Sequence, residues 1–191
     1  QVDASVGNGG ATAPEFINVE QLTLENTSDK DVVIIDSARH INFICVEFKG
    51  PLSNPTSDSG SYTGVRFKSS TVTTERINFD FCKFTNTRYA MISDELVKNI
   101  VASNCYFSGL YKGIKLGQYS TSAANTPVNF RIVNSTFASV SYRAIDCYSG
   151  VTGVVSCGNH YEDVGTNFQG AGSPTATIIN FVSDGNYSVF D

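Results

Sequence analysis

The chain has no tryptophan and only two histidines, His40 and His160, in 191 residues. Charged residues make up 16% of it, well below the usual figure of about 25%. With 41% hydrophobic residues, charge-driven disorder is disfavoured. Basic residues are scarce, 13 Lys and Arg against 18 Asp and Glu, a net charge of −5. A basic face for gripping nucleic acid is therefore not expected. No apolar run approaches the roughly 18 residues that cross a membrane, and no secretory signal is visible. The five cysteines (Cys45, Cys82, Cys105, Cys147 and Cys157) form no CxxC pair. With so few histidines, neither a metal site nor a cofactor is expected. The thiols read as small, mostly buried hydrophobes in reduced form. The length suits one domain. The start, Gln1-Val2-Asp3 without Met, suggests a processed product or an excised fragment.

What the sequence does contain is a repeat. Six segments open on an apolar residue and close, seven residues later, on an aromatic or Leu. They are Ile17 to Leu24, Ile41 to Phe48, Ile77 to Phe84, Ile100 to Phe107, Phe130 to Phe137 and Val154 to Tyr161. A weaker seventh is read from Asn180 to Tyr187. Positions zero and two of each segment alternate as a strand does. The next inward positions are five and seven, so one residue has been inserted at position four. Asn104, Asn134, Gly158 and Asp184 hold it in the later repeats, and such residues best tolerate a left-handed backbone. Cys45 and Phe81 do not fit, and the early coils are expected to bend by another route.

A second motif follows. Tyr62-Thr63-Gly64-Val65-Arg66-Phe67 matches Tyr111-Lys112-Gly113-Ile114-Lys115-Leu116 and Tyr142-Arg143-Ala144-Ile145-Asp146-Cys147. Tyr89-Ala90-Met91-Ile92 is a fourth copy, and Val33 and Ile35 supply the first repeat. Three short strands per turn predict an all-β, single-stranded parallel β-helix of about seven coils, with a ladder of stacked aromatics inside. Stacked at about 4.8 Å per coil, it makes a rod about 30 Å long. An all-β sandwich is the alternative, but it does not explain a repeat that skips one residue each time. Residues 16–191 form the β-helix domain in this reading, and residues 1–15 a small, Gly/Ala-rich segment or linker.

The pattern resembles right-handed parallel β-helices, a superfamily that includes pectate lyases, polygalacturonases and phage tailspike or tail-appendage proteins. The resemblance covers residue 17 to about residue 187, and is one of coil architecture. The Ser/Thr/Asn/Gly-rich loops and odd free cysteines look most like a virion appendage module. That resemblance implies a homotrimer, contact with other virion proteins and with host polysaccharide, and a location on the virion or an extracellular surface. The alternatives are a polysaccharide depolymerase, hydrolase or lyase, and a bacterial surface adhesin.

The polygalacturonase-like clusters of paired aspartates and Gly-His-Gly are missing. On the third strand, Arg66, Ser93, Lys115 and Asp146 are expected to face outward on successive coils. They form either a glycan-binding strip or a solvated ladder with a Lys115–Asp146 surface pair. On the second, Thr23, Glu47, Lys83, Tyr106, Thr136 and His160 stack, with Tyr106 placed to meet a sugar ring. Arg66, Lys115 and Tyr106 are thus the glycan-binding candidates. Asp80, Asp146 and Glu47 are the catalytic ones. Glu47 also reads as an ion pair with Lys83, and Asp80 lies two coils from Glu20, about 9.6 Å by stacking. Asp94 falls where its neighbours point inward, so the strand either ends there or buries a carboxylate. Ile44, Val101, Val133, Val155 and Phe181 are read as an apolar outer row, either a subunit interface or a face covered by the loops 50–61 or 118–126.

Overall fold

The computed structural model describes residues 16–28, 30–52, 55–57, 62–117, 126–148 and 150–166 in full, and the strand backbone of 167–170, 176–179 and 182–183. The chain is an all-β parallel solenoid. Its first turn is β1 (Ile17–Glu20), β2 (Thr23–Glu25) and β3 (Val33–Asp36). The second is β4 (Arg39–Ile44), β5 (Glu47–Lys49) and β6 (Thr63–Lys68), and the third is β7 (Thr74–Asp80), β8 (Lys83–Thr85) and β9 (Tyr89–Ser93). Then follow β10 (Val97–Ser103) and β11 (Tyr106–Leu116), β12 (Val128–Val133) and β13 (Thr136–Cys147), β14 (Val154–Cys157) and β15 (His160–Gly170), and β16 (Ala176–Ile179) and β17 (Val182–Ser183). From β11 onward the second and third strands of each turn run together, and the pairing shifts register between Leu110 and Lys112.

The first sheet stacks β1, β4, β7, β10, β12, β14 and β16, all parallel. Seven strands stack in this sheet, and they amount to about five full turns rather than the seven coils expected. The expected register of the first six repeats holds, with Ile17 opposite Ile41, Ile41 opposite Ile77, and Ile100 opposite Phe130. The seventh differs: Ala176, not Asn180, stands opposite Val154. Asp184 is therefore not its position-four residue, and Asp184, Tyr187 and the segment 1–15 lie outside the described residues.

The corner after each of the first six first-sheet strands is the same. Gln21, Cys45, Phe81, Asn104, Asn134 and Gly158 all have positive φ, from 50° to 66°. The expectation that Cys45 and Phe81 bend otherwise is wrong, because stacking leaves no other route. The Cys45 N–H donates to Asp80 O (3.0 Å), the Phe81 N–H to Ser103 O (3.2 Å) and the Asn104 N–H to Val133 O (3.1 Å). A coil that turned differently would orphan these groups. A second left-handed residue stands just before the opening apolar residue of each of the six repeats, at Phe16, His40, Arg76, Asn99, Asn129 and Gly153, within the strand itself in β4, β7, β10 and β12.

Inside, Phe48, Phe84, Phe107, Phe137 and Tyr161 form the expected ladder. Consecutive ring centroids lie 4.8, 5.0, 4.4 and 5.3 Å apart, with planes within 9°. All five are at most 1% exposed, so each contributes about 2–3 kcal/mol by burial. Gly113 sits where the backbone passes close to Ala144 O and to the Phe137 ring, leaving no room for a side chain.

One register error affects the outer faces. Matching tyrosine to tyrosine aligned Ile92 with Val65, but Met91 is the residue opposite Val65 and Ile114. Ser93 therefore points inward, fully buried opposite Phe67 and Leu116, and Ile92 takes the outward place beside Arg66. Two adjacent apolar residues, Met91 and Ile92, left the alternation ambiguous.

Candidate functional site

The outer face of the first sheet carries a groove of about 550 Å³. Two ladders build it. Asn18, Asn42, Asn78 and Val101 occupy position one of successive strands and pair in register. In-register stacking brings like amides into reach. Asn42 Nδ2 donates to Asn18 Oδ1 (2.9 Å), and Asn78 Nδ2 donates to Asn42 Oδ1 (2.8 Å). In this chain Asn42 spends one N–H and one lone pair on its neighbours, Asn18 one lone pair and Asn78 one N–H, so each amide keeps at least one donor and one acceptor for a ligand.

The other wall is the preceding left-handed corner. Projection from that corner stacks the Phe16 ring on the His40 imidazole, with centroids 4.7 Å apart and planes 11° from parallel. Arg76 Nη1 lies 2.7 Å from His40 Nε2. Since a guanidinium can only donate, His40 Nε2 is the acceptor and the proton sits on Nδ1. Phe16 is 77% exposed, so its other ring face is open. The groove thus combines a polar rail with an aromatic face and an anchored guanidinium. No carboxylate lines it. The sequence signal for it was the triplet Ile-Asn-Val or Ile-Asn-Phe at residues 17–19, 41–43 and 77–79. Alternation alone does not mark it, because positions one and three of each first-sheet strand both face outward.

The sequence candidates fall elsewhere. The second-sheet ladder is as expected, with Thr23, Glu47, Lys83, Tyr106, Thr136 and His160 in register. Tyr106 is 41% exposed on it. The expected Glu47–Lys83 ion pair is absent. Glu47 instead accepts hydrogen bonds from Thr85 Oγ1 (3.2 Å) and Thr23 Oγ1 (3.4 Å). Asp80 accepts from Ser103 Oγ (2.9 Å) and Asn104 Nδ2 (2.8 Å). Arg66 is held by Asp31 through Nε (2.6 Å) and Nη2 (3.2 Å).

The Lys115–Asp146 surface pair is also replaced. Lys115 pairs with Asp94 (3.3 Å), and the strand does end at Ser93. Asp146 is fully buried between Lys112 Nζ (2.8 Å) and Arg143 Nη1 (3.1 Å), and Tyr148 donates to it (3.3 Å). Lys112, 3% exposed, lies 5.4 to 5.8 Å from the ring centroids of Tyr89, Tyr111 and Tyr142.

The apolar outer row divides between two ladders. Val101 and Val155 stand at position one with Arg131 between them. Ile44 and Val133 stand at position three, separated by Asp80 and Ser103. Phe181 lies outside the described residues. Of the loops offered as cover, 50–61 reaches the opposite side, where Ser141 Oγ donates to Pro55 O (2.6 Å). All five cysteines are free thiols. Cys105 is pushed up by its hydrogen bond with Cys82 and by burial, and Cys147 by burial and the Asp146 charge. Both therefore stay protonated and unreactive. Among the described residues no three His, Cys, Asp or Glu side chains gather as a metal site, and no helix is long and apolar enough to cross a membrane.

Fold and groove define a parallel β-solenoid with a polar and aromatic exterior channel. No family model, curated protein or solved structure matches the chain.

Proposed function

We propose that this chain is a rigid β-solenoid module of a virion or surface appendage that contacts glycans along its first sheet. The observation that carries this reading is the Asn18–Asn42–Asn78 amide rail beside the exposed Phe16 ring. Sugar hydroxyls both donate and accept, as the outward half of each amide does. The apolar face of a pyranose suits an aromatic ring. A stacked core of five rings supplies the stiffness a shaft needs.

Binding is preferred to cleavage because no described carboxylate lines the amide-rail groove, and of the catalytic candidates only Glu47 lines a described hollow, with no second carboxylate beside it. Asp146 is buried in an ion pair, Asp80 is held by Ser103 and Asn104, and neither lines a described groove. The test is a screen of neutral and acidic oligosaccharides against the wild type and the Asn42→Ala/Asn78→Ala variant. Circular dichroism checks that both are folded. Retention of a glycan by the wild type, weakened more than about tenfold in the variant, is the expected result. No binding to any glycan, or binding indifferent to the variant, would remove the reading.

A further inference from the structure

The corner between the first and second sheets changes character along the rod. In later coils it is built from Asn104, Asn134 and Gly158, which suit positive φ. In earlier coils it holds Cys45 (φ 55°) and Phe81 (φ 53°). Phe81 is 59% exposed, with Ile44 at 36% one coil earlier and Leu22 at 39% two coils earlier. An aromatic residue in a strained corner, facing water, is unfavourable on both counts. Asparagine at the same corner one coil later avoids both. Local rules broken without a gain to the fold mark a place selected for something else.

The Phe81 ring forms one wall of a notch of about 440 Å³, whose other walls include Leu22, Cys45, Glu47 and Lys83. Glu47 and Lys83 are register neighbours on its floor, yet their side chains form no ion pair, since Glu47 accepts from Thr23 and Thr85. One patch therefore carries a protruding ring, a hollow, an available cation and an available carboxylate.

We infer that this patch is a self-association surface. Phe81 of one copy seats in the notch of a second copy of this chain, and Lys83 of one faces Glu47 of the other. The occupant is a like chain because both halves of the contact, knob with hole and cation with carboxylate, are present on the same surface. The contact is distinct from the glycan groove and does not depend on it.

The test is solution mass by light scattering over a range of concentrations. The variants are Phe81→Asn, Phe81→Gly, Lys83→Glu and the swap Glu47→Lys/Lys83→Glu. The wild type is expected to associate. Phe81→Asn and Phe81→Gly both suit the left-handed corner and are expected to stay folded by circular dichroism. Their association is expected to weaken more than about tenfold, as when a central aromatic anchor is lost. Lys83→Glu is expected to weaken association, and the swap to restore it. A wild type monomeric at every concentration overturns the proposal. So does an oligomer that either Phe81 variant leaves intact, or a swap no better than Lys83→Glu alone.

Discussion

Asn134 Oδ1 lies over the α-carbon of Gly158, 2.6 Å from where a methyl side chain would stand. Gly158 also has φ +66°. Two constraints therefore converge on one residue, a left-handed backbone and the close approach of an amide from the coil below. Gly158→Ala is expected to destabilise by about 2–3 kcal/mol, combining the strained φ with the clash. In an Asn134→Gly background the clash is gone, and the same substitution is expected to cost only about 1 kcal/mol. A double-mutant cycle by urea titration reads the difference. Equal costs in the two backgrounds would show that the amide is not the obstacle.

The corner ladder makes a second prediction, in which two substitutions have opposite signs. Asn134 (φ 50°) and Cys45 (φ 55°) hold the same backbone conformation one on each half of the rod. Asn134→Val puts a β-branched residue into it and is expected to destabilise by about 1–2 kcal/mol. Cys45→Asn relieves it and is expected to stabilise by about 0.5–1 kcal/mol. Both are read as shifts in the denaturant midpoint at unchanged slope. A stability change near zero for Asn134→Val would mean that the corner is not strained as its φ implies.

The fold was legible because inward positions obey a strict pattern. Ile41, Phe43, Val46 and Phe48 are all buried, and any other spacing would expose them. Outer positions lack such a filter, because polar and apolar side chains are both tolerated there. Asp146 looks like a surface residue from its alternation, and only the folded geometry shows Lys112 reaching it across the irregularity after Leu110. The amide rail was readable from three Ile-Asn triplets, whereas the His40–Arg76 contact was not. Those two residues sit in equivalent places just before Ile41 and Ile77, but the spacing does not show the left-handed backbone at both that brings their side chains together.

Asp36 sets an acid limit. Burial raises its pKa, but hydrogen bonds from Ser70 N (2.8 Å), Ser70 Oγ (2.6 Å) and Ser37 Oγ (2.9 Å), together with Lys68, outweigh burial and hold it below its usual value. A carboxyl lowered in the folded state contributes stability above its unfolded pKa of about 3.9, and loses it as the pH falls through the lower folded value. Asp36→Asn is therefore expected to be less stable than the wild type at neutral pH. The gap should narrow below about pH 4. Urea midpoints measured for both proteins from neutral to strongly acidic pH check this, and a gap independent of pH would assign the effect to packing.

Asp146 and Asp94 give the sharpest contrast, because each faces a lysine and only one is buried. Asp146 is 0% exposed and touches Lys112 and Arg143, and Lys112 is itself 3% exposed. Asp94 and Lys115 keep 21% and 17% of their side-chain surface in contact with water. Removing one partner of a buried pair strands a charge that water cannot reach, at a cost of about 3–5 kcal/mol. Near the surface, water replaces the lost partner and the cost is about 0–1 kcal/mol. Asp146→Ala is thus expected to move the denaturant midpoint far more than Asp94→Ala. Lys112→Met should fall between them, since Arg143 still faces Asp146 and the thioether chain fills the space among Tyr89, Tyr111 and Tyr142. If Asp146→Ala cost no more than Asp94→Ala, Asp146 would be solvated in solution, and the outward strip on the third strand of each coil would again be open to a ligand.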